Sequence, residues 1–84
     1  MSWFSRKQYR AAFTGVTSGL LYEEYGKRMI IDCERLAEPL GVLVYTQTMK
    51  WQSPHDAEIL EKADIERIQK NITDSLGSFN LKWV

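Results

Sequence analysis

The run Gly41-Val-Leu-Val-Tyr45 leads through Thr46-Gln-Thr-Met49-Lys50-Trp51 and Gln52-Ser-Pro54-His55-Asp56 into a helical pattern ending at Leu76, and its reading decides the fold. Val42 to Trp51 is rich in β-branched and aromatic residues and predicts a strand. In it Leu43, Tyr45, Gln47, Met49 and Trp51 alternate with Val42, Val44, Thr46, Thr48 and Lys50. Apolar residues on both sides of its first half place it centrally in a sheet. Pro54, which has no N–H to give a ladder, stops it. After the acidic lead-in from His55 to Glu61, Ile65, Ile68, Ile72 and Leu76 recur at spacings of three, four and four. That is the single apolar stripe of an amphipathic helix over Lys62 to Leu76. Glu61, Asp64 and Glu66 suit its positive N-terminal half, and Gly77 stands where a C-cap belongs.

Beyond the helix, Phe79, Leu81 and Trp83 alternate with Asn80, Lys82 and Val84. Burying each large side chain contributes about 2–3 kcal/mol, so the tail reads as a final strand. Ahead of the central stretch, Leu20 to Tyr25 and Arg28 to Cys33 read as a hairpin in which Gly26 supplies a positive φ. Met29, Ile31 and Cys33 share one face of the second strand, and Arg28, Asp32 and Glu34 share the other with Ile30. Arg35 to Gly41 is a connection, because Pro39 excludes a central strand there, and Leu36 and Leu40 are expected to tuck under the sheet edge. The first residues admit two readings. Ser5 caps a short helix from Arg6 to Phe13, or a frayed start over residues 1–8 gives way to a strand from Tyr9 to Val16; the strand is favoured. The sum is one α+β domain over residues 1–84, in β-β-β-β-α-β order. It is an antiparallel meander of four to five strands with one C-terminal helix packed on one face, then a final strand. One helix leaves much of the other sheet face open to a partner or a second copy.

The 84 residues hold 44% hydrophobic and 12% aromatic side chains, as a folded protein does. A chain this short buries only about 60–65% of its unfolded surface and has little room for a large catalytic cleft. Its formal net charge of zero argues against a general nucleic-acid binder. Arg6, Lys7 and Arg10, with Trp3 and Tyr9, leave only a weak nucleic-acid reading at the N-terminus. Asp56, Glu58, Glu61, Asp64 and Glu66, offset in that interval by Lys62, make the helix entrance acidic. A lone cysteine, Cys33, forms no intramolecular disulfide and points to a reducing compartment, the cytoplasm. No apolar run is of signal-peptide or membrane-spanning length.

Catalysis has few candidates. His55 and Asp56 are adjacent in a turn and point apart, which makes a poor dyad, and Cys33 shares an apolar strand face with Met29 and Ile31. No residues stand at CxxC or HxxxH spacing, and the acidic lead-in lacks a calcium-loop pattern, so no metal or other cofactor is expected. Pro54-His55-Asp56 reads as the turn before the helix. Trp51 reads as an indole packed at a strand end, or as an anchor for a partner.

Gly19-Leu20-Leu21-Tyr22, Glu24-Tyr25-Gly26-Lys27, Ile30-Ile31-Asp32, Glu34-Arg35-Leu36, Gly41-Val-Leu-Val-Tyr45, Met49-Lys50-Trp51 and Pro54-His55-Asp56 stand in a telling order. The helix pattern Ile65, Ile68, Ile72 and a short strand after Gly77 complete it. From about Ser18 to Val84 this order resembles the bacterial immunity proteins of polymorphic toxin systems, in the family numbered seventy-four. His55 stands where that pattern commonly has an aromatic, and Ile59 where it has proline. The resemblance implies a non-enzymatic protein that binds and neutralises a cognate toxin. It makes Trp51, His55, Asp56, Glu58 and Glu61 the expected partner-binding residues. The alternatives are a self-associating bacterial or phage protein, working as a homodimer, and a weak nucleic-acid binder.

Overall fold

A computed structural model describes residues 8–14, 19–37 and 40–84. The expectations for Trp3, Ser5, Arg6, Lys7 and Pro39 fall outside the described residues. Five strands, β1 (Tyr9–Phe13), β2 (Gly19–Glu24), β3 (Lys27–Arg35), β4 (Val42–Val44) and β5 (Leu81–Trp83), lie side by side in sequence order. The helix α1 (Lys62–Leu76) falls between β4 and β5 in the chain. β1 through β4 form an antiparallel meander, and β5 closes the sheet parallel to β4. Tyr9 to Phe13 are therefore strand, which settles the favoured reading of that stretch against a helix.

The hairpin between β2 and β3 turns on Tyr25 and Gly26, with φ values of 50° and 79°. Two positive φ angles give the turn the twist that antiparallel strands require, and Gly26 is the residue that adopts it freely. Register then places Leu20, Tyr22, Met29, Ile31, Cys33, Val42 and Val44 on one face. All seven are buried, and Ile68 and Ile72 of α1 are buried with them. Ile65 and Leu76, at the ends of the stripe, are half-buried against this core.

Several boundaries differ from the sequence reading. β4 stops at Val44, far short of Trp51, and Thr46–Thr48 form a 3-10 turn. The Thr48 hydroxyl donates to the Tyr45 carbonyl at 2.7 Å and accepts from the Asp32 N–H at 2.9 Å. A side chain that competes for backbone groups in this way outweighs β-propensity. The chain returns to β3 at Arg28, whose carbonyl accepts the Gln52 N–H at 2.7 Å. Met49 and Trp51 still enter the core, but from a loop. Gly77 caps α1 in ordinary right-handed geometry and starts a second 3-10 turn, Gly77–Phe79, so Phe79 is not part of the last strand. The left-handed residue there is Asn80. Leu40 is exposed and does not tuck under the sheet, whereas Leu36 is half-buried.

Candidate partner-binding surface

The loop from Trp51 to Glu61 is pinned at three places. The Ser53–Pro54 peptide is cis, and the His55 N–H closes the turn on the Gln52 carbonyl at 2.9 Å. The Glu58 N–H then donates to the His55 carbonyl at 3.0 Å. At the far end, the Asp64 carboxylate accepts the Glu61 N–H at 3.0 Å and satisfies a donor at the start of α1.

This loop carries all five predicted site residues, but they have different fates. Trp51 is 4% exposed, with its ring 6.3 Å from that of Tyr22 and the Lys27 ammonium 5.7 Å from its centroid. Of the two readings of Trp51, the packed indole therefore holds and the surface anchor does not, because the loop turns the ring inward. His55 Nδ1 lies 3.1 Å from Glu58 Oε2, and Glu58 also pairs with Lys27 from the start of β3. The Lys27 hydrogen bond, helped by His55, holds the Glu58 carboxyl below the usual carboxylate range. Asp56 and Glu61 are exposed and enter no ion pair among the described residues. The loop thus brings His55 to Glu58 and leaves Asp56 facing water, while the exposed Glu61 carboxylate accepts the Asp64 N–H as the other half of a capping box at the start of α1.

One polar cluster was missed by the sequence reading. Glu24, with a side chain 7% exposed, receives Arg67 Nε and Nη2 at 3.0 and 2.8 Å. Arg67 Nη1 donates to Asp64 at 2.9 Å, and that hydrogen bond comes first in holding the Asp64 carboxyl low. Tyr22 donates its hydroxyl to Glu24 at 3.2 Å and accepts from Asn71 at 2.9 Å. Burial above all pushes the Tyr22 phenol up to about 12. The signal was in the alternation: Glu24 follows Leu20 and Tyr22 on the inward face of β2. A carboxylate there needs a cation, and Arg67 and Asn71, one helical turn apart, flank Ile68.

Burial raises the Cys33 thiol, which has the character of an inert core residue rather than a nucleophile. No group of His, Cys, Asp and Glu among the described residues is placed to hold a metal ion. No helix of the described residues is long and apolar enough to cross a membrane. The sheet face away from α1 carries Arg10, Glu23 and Arg28 in one row. Glu23 takes Arg10 on one oxygen and Arg28 on the other, each at 2.7 Å. Beside this row, between the hairpin tip and the Pro54 turn, lies a groove of about 790 Å³.

These features define a small α+β domain whose free charges sit on its outer surface and whose buried ones brace the core. The chain matches the family model of immunity protein 74 over residues 12–83, almost its whole length, and it belongs to that family. Membership suggests a toxin-neutralising, binding role. No curated protein matches the chain. No solved structure matches it.

Proposed function

We propose that this chain is a non-enzymatic cytoplasmic protein that binds a cognate protein toxin and blocks its active site or substrate path. The observation that carries this reading is the family match over residues 12–83. The loop before α1 supports it. Asp56 and Glu61 are exposed and pair with no cation among the described residues, Glu61 also capping α1, and exposed carboxylates steer a basic partner and set its orientation. Glu58 and His55 hold that loop to the hairpin through Lys27, so the surface is fixed before the partner arrives. Trp51 serves from beneath, as the packing that supports the loop.

Co-expression with the toxin encoded beside this gene tests the proposal. The wild-type chain restores growth, and the double reversal Asp56→Lys/Glu61→Lys protects less well. Full protection by the reversed variant removes these carboxylates from the interface. Failure of the wild-type chain to protect overturns the function.

A further inference from the structure

The sheet ends at β5, and the outer edge of that strand carries backbone groups that nothing takes up. The Val42 N–H donates to the Asn80 carbonyl at 3.1 Å, the Val84 N–H to the Val44 carbonyl at 2.9 Å, and the Thr46 N–H to the Val84 carbonyl at 2.8 Å. Asn80 and Val84 therefore face β4, and the period of two aims the N–H and C=O of Leu81 and Trp83 off the edge. Among the described residues none of these four groups has a hydrogen-bond partner. The edge is set in place beforehand, because Gly41 lets the Asn80 carbonyl approach closely and start the ladder.

An open row of donors and acceptors at the strand period matches one kind of ligand, another extended backbone. A second copy of β5 fits it poorly. Antiparallel pairing about a twofold axis, which would satisfy all four groups, sets Lys82 against its own counterpart, and like charges directly opposite repel. A strand of three residues also covers far less than the about 1,600 Å² of a standard stable interface. Lys82 is exposed, stands beside the uncharged Leu43 of β4, and enters no ion pair among the described residues. Leu81 and Trp83 turn their side chains to the covered face, where they are half-buried. The strand that fits here is therefore apolar at the two positions beside Leu81 and Trp83 and acidic at the one beside Lys82. The edge also leads to the acidic loop. Thr46, which bonds the end of the β5 ladder, lines with Gln47 a cleft of about 380 Å³ that Asp56, Ile59 and Leu60 close from the other side.

We propose that the protein partner adds a strand to the open edge of β5, its backbone pairing with Leu81 and Trp83 and an acidic side chain facing Lys82. One partner then spans the edge and the loop through the Thr46 turn. This deepens the toxin-binding reading and rests on it for the identity of the partner.

Amide hydrogen exchange of the isotope-labelled full chain tests it, alone and with a catalytically disabled form of the toxin encoded beside the gene. In the free chain the Leu81 and Trp83 amides exchange fast and those of Lys82 and Val84 slowly. In the complex Leu81 and Trp83 slow at least about tenfold. Lys82→Glu, whose folding is verified by its urea midpoint, weakens the complex about threefold or more. A complex in which these two amides exchange as before, or an undiminished affinity of Lys82→Glu, overturns the inference and leaves the function standing. A wild-type dimer by light scattering with both amides already protected also overturns it, since a second copy then holds the edge. Where no complex forms the function falls, and two capped peptides of alternating valine and threonine, one with a central glutamate and one with a central lysine, decide the edge. Shifts of the Leu81 and Trp83 amides with the glutamate peptide, smaller with the lysine peptide, uphold it, and their absence overturns it.

Discussion

Arg67 reaches from α1 to the inward face of β2 and grips both carboxylate oxygens of Glu24, at 3.0 and 2.8 Å. The pair fixes the helix to the sheet at the hairpin end, beside the buried Tyr22 ring, while Ile68 and Ile72 fix it by packing. Removing one partner of a nearly buried ion pair leaves the other charge without compensation. Arg67→Met is expected to lower unfolding free energy by about 2–3 kcal/mol, discounted because the guanidinium is itself part-exposed. Adding Glu24→Gln should recover much of the loss. Urea midpoints of the two single variants and the double variant check this; purely additive losses would show that the pair does not act as a unit.

Alkali should unfold the protein through Tyr22. Its phenol is buried, and burial pushes its pKa from 10.0 up to about 12. A group whose folded pKa is raised stabilises fully below the unfolded value and loses that contribution as pH climbs to the folded one. The window is pH 10 to about 12, and the loss is about 2–3 kcal/mol. Tyrosinate absorbance followed beside circular dichroism should show Tyr22 ionising last, together with loss of structure.

Acid acts in the opposite sense on Glu58. The Lys27 hydrogen bond holds its carboxyl low, so its contribution is present above the unfolded carboxylate range and is lost as pH falls through the lowered folded value. Lys27→Met should bring the Glu58 pKa back up toward the ordinary range. A carboxyl-carbon NMR titration reads this directly, and an unmoved Glu58 would contradict it.

Two glycines with left-handed backbones should respond very differently to alanine. At Gly41, with φ of 92°, an added Cβ would lie 2.1 Å from the Asn80 carbonyl oxygen, in the approach that lets β5 join β4. Gly41→Ala is expected to cost about 3 kcal/mol or more. At Gly26, with φ of 79°, nothing lies within 4 Å. Gly26→Ala should then cost only the backbone strain, about 1 kcal/mol. Thermal melts of the two variants compare them, and similar midpoints would contradict the close approach at Gly41.

Much of this architecture is legible in the order of residues. The stripe Ile65, Ile68, Ile72, Leu76 gives α1 its limits and its buried face, because helix packing follows a period that side chains display openly. The alternation Met29, Ile31, Cys33 gives the covered face of β3 in the same way. Val42 to Trp51 misleads because its residue types favour a strand, while the bonds that fold it into a turn come from Thr48 meeting Tyr45 and Asp32. Such a contact across the sheet is not written in propensity. Of the expected surface, the acidic loop is legible through Asp56 and Glu61. Trp51 leaves two readings open, packed or partner-facing, since the side of a loop on which an indole falls depends on the turn behind it; the packed one holds. Arg10, Glu23 and Arg28 meet only once register has brought three strands together.

The protection proposed for this chain depends on physical occupation of the toxin. Calorimetric titration of the wild-type protein into a catalytically disabled form of the toxin encoded beside its gene tests that most directly. A stoichiometric complex, weakened by Asp56→Lys/Glu61→Lys and leaving the toxin chemically unchanged, is the expected result. Protection of cells without any complex, or with covalent change to the toxin, would contradict it.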